Sequence, residues 1–237
     1  VVNPYMGKSG WTFAPGPGVV ADPVGHAQYM YEVYQRAQPD YSGRVTVPVL
    51  WDLHRNTIVN NESAEIIRML NSAFDGIATK DGDYAPADLL PEINEINAFT
   101  YDAINNGVYK AGFATDQGVY EDEVRNLFAA LDELEARLGQ QRYLVGDQIT
   151  EADWRLFTTL IRFDAVYHGH FKCNLKRLTD YENLWSYTRE LYQWPGIADT
   201  VNFDHIKQHY YRSHDSINPN RIVPSGPVLE LERPPSR

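Results

Sequence analysis

The segment at residues 45–70, VTVPVLWDLHRNTIVNNESAEIIRML, constrains the fold of this chain more than any other stretch. Two short apolar runs, at 45–52 and 57–60, are separated by the letters LHRN, a pattern that is typical of two strands joined in a hairpin. Apolar residues then recur at helical spacing and predict a helix over 62–74, with an apolar face formed by Ile66, Ile67, Leu70 and Phe74. A hairpin followed directly by such a helix indicates an α/β unit.

A proline interrupts the first of these two strands. Because proline lacks the N–H that a ladder needs, Pro48 is expected at a strand start, an edge or a bulge. Because cis bonds occur almost only before proline, the Val47–Pro48 bond is a candidate for a cis bond in a tight turn. Such a turn leaves the backbone N–H and C=O of Val47 unpaired and able to pair with an extended peptide.

Glu62 and Ser63 stand where the predicted helix begins. The first amides of a helix have no partner within it and form a ready anion site, beside which Glu62 supplies a negative charge. Together these groups are able to bind a ligand that carries both an amine and a carboxylate, with the amine on Glu62 and the carboxylate on Ser63 and the amides. Both residues also suit an ordinary first turn that complements the helix dipole, so the residues alone leave both interpretations open.

From about residue 86 onward the pattern is helical. Apolar residues follow a 3.6-residue period through 124–138, and ITEADWRLFTTLIRFDAVY predicts another helix, opened by a capping box of Thr150 and Asp153. Other segments at 26–36, from 93 into NNGVYKAGF, at 183–192 and at 198–211 are also predicted as helices. Residues 1–25 and the tail after 214 are rich in Gly and Pro and are predicted as loop or extended chain.

Composition excludes several classes of function. The net charge of −11 argues against a nucleic-acid partner, whose phosphates need a basic surface. No run of about 18 apolar residues predicts a membrane span, and the first residues lack the pattern of a signal peptide. The single cysteine, Cys173, excludes an internal disulfide framework and favours a reducing compartment, so we expect a cytoplasmic location.

Several long motifs carry a resemblance to a known family. TVPVLWD followed by IVNNESAEIIRML resembles the glutathione-binding part of the thioredoxin-like domain of glutathione transferases, and TEADWRLF resembles the capping motif of their helical domain. With GWTF, NNGVYKAGF, HFKCN and TVNFDHIKQHYYRSHDSINP added, nearly the whole chain is similar to the glutathionyl-hydroquinone reductases, also called the Xi class. The resemblance implies an α/β thioredoxin-like N-terminal domain, incomplete in this chain, followed by an all-α C-terminal domain.

The resemblance also implies domain limits and partners. We expect the glutathione-binding domain at residues 1–80, the all-helical domain with the substrate pocket at 86–214 and an extended tail at 215–237. Glutathione is the implied co-substrate and a glutathionyl-hydroquinone the implied substrate, in a homodimer without nucleic-acid, membrane or metal partners.

Four residues match the family's glutathione site. Trp11 in GWTF matches a tryptophan that packs against bound glutathione, and Val47 matches the residue whose backbone pairs with the cysteinyl part. Glu62 and Ser63 match the residues that hold the γ-glutamyl end.

Two tyrosines match the family's hydroquinone pocket. Tyr109 in NNGVYKAGF is one, and KQHYYRSH supplies the second, for which we favour Tyr210 over Tyr211. Their hydroxyls are expected to bond a hydroquinone oxygen and to protonate the leaving aromatic carbon. Without the resemblance, each tyrosine would be read as a core aromatic with a satisfied hydroxyl.

The implied reaction needs a cysteine nucleophile, which forms a mixed disulfide that a second glutathione resolves. In the family this cysteine lies in a Cys-Pro-Trp-Ala segment that precedes the matching motifs. We therefore expect that segment, with the first strand and helix of the thioredoxin-like domain, upstream of Val1. Cys173 is a weaker candidate, although His170 and Lys172 stand near it in sequence and would favour a thiolate.

Three rival interpretations remain from the residues. His205 and His209 stand at i and i+4, with Asp204 and His214 near, a spacing that is able to bind zinc, although a plain amphipathic helix also explains it. The chain is also compatible with a non-catalytic binding or scaffold protein of the same fold. The third interpretation is a conventional transferase that conjugates glutathione.

Overall fold

The computed structural model describes residues 1–78 and 82–236. The N-terminal part is a small α/β unit whose antiparallel hairpin consists of β1 (Leu50–Asp52) and β2 (Thr57–Asn60). Helix α1 (Met30–Ala37) precedes the hairpin and α2 (Ser63–Ser72) follows it. The predicted hairpin and the helix after it are thus both present.

The first predicted strand is shorter than expected. The sequence predicted a strand over 45–52, but within the described residues only Leu50–Asp52 pairs with β2. The Val47–Pro48 bond is cis and stands ahead of the paired residues, where the missing proline N–H interrupts no ladder. The residue before this bond is connected to α1, because the Tyr34 hydroxyl donates to the Thr46 carbonyl at 2.9 Å.

The rest of the chain is helical. The helices are α3 (Leu90–Thr100), α4 (Gly107–Gly112), α5 (Gln117–Leu138), α6 (Glu151–Leu160), α7 (Glu182–Tyr192) and α8 (Phe203–Ser213). Wide π-helical turns follow α3 at Tyr101–Asn105 and α6 at Phe163–Tyr167, and short 3-10 turns lie at Leu178–Asp180 and Ala198–Thr200. Their apolar faces enclose one main core, which includes Ile93, Leu127, Leu131, Leu134, Leu156 and Tyr187.

Several predicted helices have different limits. The helix expected at 26–36 begins at Met30, and the one predicted over ITEADWRLFTTLIRFDAVY ends at Leu160, ahead of the second π turn. The helix expected from residue 93 into NNGVYKAGF is interrupted by the π turn, after which α4 begins a new segment. The helix expected at 198–211 begins at Phe203, because the Asn202 side chain accepts from the His205 amide and so caps the helix there.

The predicted capping box opens α6. The Thr150 amide donates to Asp153 Oδ2 at 2.8 Å, and the Thr150 hydroxyl oxygen accepts from the Ala152 amide. Asp153 also accepts from the Leu144 amide and the Tyr187 hydroxyl, at 3.0 and 2.7 Å. Burial raises the pKa of the Asp153 carboxyl in spite of these donors. The box therefore also fixes α6 in the core.

An ion pair joins the α/β unit to the helices. Arg68 of α2 donates through Nε and Nη2 to the two carboxylate oxygens of Glu151 at the start of α6, at 2.7 and 2.5 Å. The Glu151 side chain is only 5% exposed, and Asn97 of α3 donates to it at 2.9 Å. This contact holds α2 against the helical part.

The C-terminal tail runs over α7 as extended chain. Gln193 Nε2 donates to the Leu231 carbonyl at 2.6 Å, the Ser236 amide donates to Ser186 Oγ at 2.8 Å, and Leu231 is buried. The domain limits at 1–80, 86–214 and 215–237 remain a prediction, and the ends at 80 and 237 lie outside the described residues. Among the described helices, none combines the length and the apolar character that a membrane crossing requires.

Candidate functional site

The carboxylate of Glu62 does not cap its own helix. Glu62 is the N-cap residue of α2, yet its side chain makes no capping bond, and its amide donates to Asn60 Oδ1 at 2.7 Å. The neighbouring acid differs, because Glu65 accepts from Asn60 Nδ2 at 2.5 Å. Glu62 and Ser63 are both exposed at the mouth of α2. The arrangement therefore leaves a carboxylate and the first helix amides open to a ligand, and does not favour the simple capping interpretation.

Val47 stands in the segment that leads into β1. It is 37% exposed and lies outside the paired residues of β1, and its bond to Pro48 is cis. The side chain of Asn61, just before the helix mouth, donates to the Tyr34 hydroxyl at 3.0 Å, and that hydroxyl donates to Thr46 beside Val47. Tyr34 thus connects the two ends of the predicted glutathione site, a role that the sequence did not indicate.

Trp11 is held between the α/β unit and α8. Its carbonyl accepts from the Met30 amide at 2.9 Å, and its ring stacks on the His209 imidazole with centroids 4.7 Å apart and planes 24° apart. His209 Nδ1 donates to the Pro4 carbonyl at 2.9 Å. Trp11 therefore reaches the helix that carries the second predicted tyrosine.

Three tyrosine hydroxyls form a hydrogen-bonded chain in the helical part. Tyr109 Oη of α4 lies 2.5 Å from Tyr210 Oη of α8, which lies 2.9 Å from Tyr167 Oη of the second π turn. Tyr109 is 36% exposed, whereas Tyr167 and Tyr210 are buried. Burial raises the pKa of both buried phenols above the ordinary value, so these hydroxyls stay protonated and neutral. The sequence did not indicate Tyr167, because nothing in its local pattern separates it from a core aromatic.

Tyr211 takes a different direction from its neighbour. Its hydroxyl lies 3.4 Å from the Ala165 carbonyl, and its ring contacts His170 with centroids 4.6 Å apart. Of the two adjacent tyrosines, only Tyr210 reaches Tyr109. The geometry supports the preference for Tyr210, whose role in the reaction remains a prediction.

Aromatic rings and a histidine pair surround the tyrosine chain. The rings of Phe113 and Phe171 pack on Tyr109, and His214 packs on Tyr210. His170 Nε2 and His214 Nδ1 are hydrogen-bonded at 3.1 Å, and burial lowers the pKa of each imidazole to about 4. Near neutral pH this wall is uncharged, which suits an aromatic ligand.

The alternative nucleophile Cys173 has the wrong environment. The residue is fully buried, and its Sγ lies 3.9 Å from the Val108 and Phe171 carbonyls. Burial raises the pKa of the thiol to about 12, in spite of Lys172 nearby. Because the thiolate is the reactive form, this cysteine is inert.

The two histidines at i and i+4 on α8 contact backbone carbonyls of the N-terminal segment. His205 Nε2 lies 2.5 Å from the Pro17 carbonyl, and His209 Nδ1 donates to the Pro4 carbonyl. One turn further, Ser213 Oγ accepts from the Met6 amide at 3.0 Å. One face of α8 therefore holds the N-terminal segment. Within residues 1–78 and 82–236, no three His, Cys, Asp or Glu side chains are grouped so as to hold a metal ion.

Comparison with known proteins identifies relatives among the glutathione transferases. The family described as glutathione S-transferase, C-terminal domain, matches residues 117–190. The chain is 56% identical over 238 residues to the glutathionyl-hydroquinone reductase YqjG of Escherichia coli, an alignment that covers 100% of this chain and 73% of that protein.

Two solved structures extend the comparison. The glutathione-bound structure of the Escherichia coli protein has a TM-score of 0.98 at 55% identity and covers 100% of this chain and 77% of that one. The Xi-class transferase of Natrialba magadii has a TM-score of 0.97 at 50% identity, covering 100% of this chain and 72% of that one.

Proposed function

Because this chain belongs to the glutathionyl-hydroquinone reductases of the Xi class of glutathione transferases, we infer that it reduces glutathionyl-hydroquinones at the expense of glutathione. In the first step a cysteine thiolate attacks the thioether sulfur. The carbon–sulfur electron pair passes to the aromatic carbon, which takes up a proton and leaves as the hydroquinone. In the second step a glutathione thiolate attacks the cysteine–glutathione disulfide, which releases oxidised glutathione and restores the cysteine thiolate.

The glutathione half of the substrate fits the open groups of the α/β unit. The uncapped Glu62 carboxylate would bind the γ-glutamyl amine, and Ser63 with the first amides of α2 would bind the neighbouring carboxylate. The backbone of Val47 would pair with the cysteinyl part, and Trp11 would pack against the peptide. Each interaction matches one type of group on glutathione with one type of group on the protein.

The hydroquinone half fits the tyrosine chain. The observation that carries this assignment is the hydrogen bond of Tyr109 to Tyr210, and of Tyr210 to Tyr167, with Tyr109 exposed at one end. A neutral phenol at that end is able to bond a hydroquinone oxygen and to supply the proton that the leaving aromatic carbon takes up. The buried partners hold Tyr109 in a single orientation.

The nucleophile in this scheme is a cysteine other than Cys173. That residue is excluded by its burial and by the raised pKa of its thiol. The family resemblance assigns the step to a cysteine in a Cys-Pro-Trp-Ala segment, and we propose a cysteine of that kind as the nucleophile here.

Two further properties are proposals of the same kind. A cytoplasmic location agrees with the single, buried, unpaired cysteine. A homodimer is implied by the family resemblance, and analytical ultracentrifugation of the full-length protein is its direct test.

The test is the product balance of the full-length protein with a glutathionyl-hydroquinone and excess glutathione. We expect one hydroquinone and one oxidised glutathione for each substrate consumed, and a protein mass increased by one glutathione when the second glutathione is withheld. A conjugating transferase would instead form new thioether and no oxidised glutathione, and a scaffold would bind glutathione without turnover. Tyr109→Phe, which removes one hydroxyl, should lower turnover while leaving the mixed disulfide able to react with glutathione.

A further inference from the structure

Two adjacent residues of α8 reach the two halves of the proposed site. His209 stacks on Trp11 of the glutathione side, and Tyr210 bonds Tyr109 of the hydroquinone side. The imidazole and the Tyr210 ring are themselves in edge contact, with centroids 5.1 Å apart. The separation of the two halves is therefore fixed where these two side chains leave the helix.

His209 makes two different contacts with the N-terminal segment. Its ring supports Trp11, while its Nδ1 donates to the carbonyl of Pro4. The segment is bound on its other side as well, because Trp11 accepts from Met30 and the Phe13 amide donates to the Gln28 carbonyl at 2.8 Å. The His209 imidazole thus holds Pro4 and Trp11 against α8, between the bonds made by His205 and Ser213, while α1 and the residues before it hold the opposite edge.

We propose that His209 is a positioning residue, which sets the distance and orientation of the glutathione-side Trp11 relative to the hydroquinone-side Tyr210. The proposal rests on the function proposed above, since it concerns a substrate that occupies both halves at once. A substrate confined to the glutathione half does not require that distance. Misplacement of one half by about 1 Å is sufficient to lower a reaction rate by roughly a hundredfold.

The imidazole is suited to this role because it stays neutral. Burial lowers the pKa of His209, and Arg162 nearby acts in the same direction, which together outweigh the opposite effect of the hydrogen bond to Pro4. With Nδ1–H donating to Pro4, the tautomer is set and the ring is free to stack on the indole without a change of charge. The two contacts are separable by substitution, because asparagine retains a donor near the position of Nδ1 and phenylalanine retains a ring.

The experiment compares two substrates in the full-length protein. A glutathionyl-hydroquinone occupies both halves, whereas the mixed disulfide of glutathione and 2-mercaptoethanol occupies only the glutathione half. For His209→Asn and His209→Phe we expect kcat/KM for the glutathionyl-hydroquinone to fall at least tenfold, and kcat/KM for the mixed disulfide to change less than threefold.

His205 offers a matched control on the same helix. It also bonds the N-terminal segment, at Pro17, but does not contact Trp11, so His205→Ala should leave the ratio of the two kcat/KM values unchanged. An equal fall with both substrates, or the same shift of the ratio in His205→Ala, would overturn the proposal and assign His209 to loop stability. Absence of wild-type turnover of the glutathionyl-hydroquinone would instead overturn the proposed function.

Discussion

Replacement of Arg68 by methionine tests how the α/β unit is held to the helices. The substitution removes two hydrogen bonds, at 2.5 and 2.7 Å, from a Glu151 carboxylate that is 5% exposed. Breaking a fully buried ion pair from one side costs about 3–5 kcal/mol, because the remaining charge stays buried without its partner. Here Glu151 is buried but the Arg68 side chain is 39% exposed, so solvent already screens part of the interaction. Asn97 continues to donate to Glu151, and Arg155 lies 4.0 Å away, so we expect the lower end, about 3 kcal/mol.

A loss of this size is measurable by thermal unfolding. For a protein of this size about 1 kcal/mol corresponds to roughly 2–4 °C, so Arg68→Met should lower Tm by about 6–12 °C. Circular dichroism of the full-length protein follows the transition, and methionine keeps most of the apolar stem of the arginine side chain.

The matched variants are Glu151→Gln and the double variant. Neutral glutamine leaves no buried charge, so the double variant Arg68→Met with Glu151→Gln should lose clearly less than the sum of the two single losses. Additive losses, or a Tm of Arg68→Met within about 2 °C of the wild type, would refute the view that a buried charge holds this junction.

Three further outcomes follow from the site. Glu62→Gln should weaken glutathione binding by about 1.5–3 kcal/mol, measured by calorimetry, because a charge-assisted hydrogen bond to the ligand is lost. The fold should not change, since the Glu62 side chain makes no capping bond in α2. Unchanged affinity would mean that Glu62 only completes the first turn. Because Cys173 is buried and its thiol has a raised pKa, iodoacetamide at pH 8 should leave it unmodified in the folded protein, as judged by peptide mass spectrometry. The variant Cys173→Ala should retain turnover. Loss of turnover in that variant would contradict the assignment of the nucleophile to another cysteine. Stability should fall as the pH is lowered from about 6.5 to about 4, because the pKa of His170 and of His214 is about 6.5 in the unfolded chain and about 4 in the folded protein. The slope of Tm against pH should be smaller in the double variant His170→Gln, His214→Gln. An unchanged slope would assign the acid sensitivity to other groups.

Local signals predicted the parts of the fold that depend on neighbouring residues. The hairpin, the cis bond before Pro48, the helix mouth at Glu62 and the capping box at Thr150 each lie within a few residues of the pattern that indicates them. The first strand was predicted too long because apolar residues before Pro48 suit a strand, although they find no partner in the described ladder.

The sequence pattern did not predict contacts between residues that are far apart in the chain. Arg68 and Glu151 are 83 positions apart, and Tyr167 and Tyr210 are 43 apart. Tyr167 also stands in a wide π turn, where helical spacing does not foretell the direction of a side chain. The spacing of His209 from His205 gives no sign of their partners, because the carbonyls that these imidazoles contact belong to Pro4 and Pro17, near the start of the sequence.

The three tyrosine hydroxyls carry more protons than the two hydrogen bonds between them use. Each carries one proton, which makes three donors, and the two hydrogen bonds through Tyr210 use two of them. One O–H therefore remains able to donate a hydrogen bond to another acceptor. When Tyr167 donates to Tyr210 and Tyr210 donates to Tyr109, the surplus proton stands at Tyr109, at the exposed end. If it is surrendered there, the phenolate of Tyr109 still accepts the hydrogen bond from Tyr210, and the negative charge stays at the exposed end, because burial raises the pKa of the other two phenols.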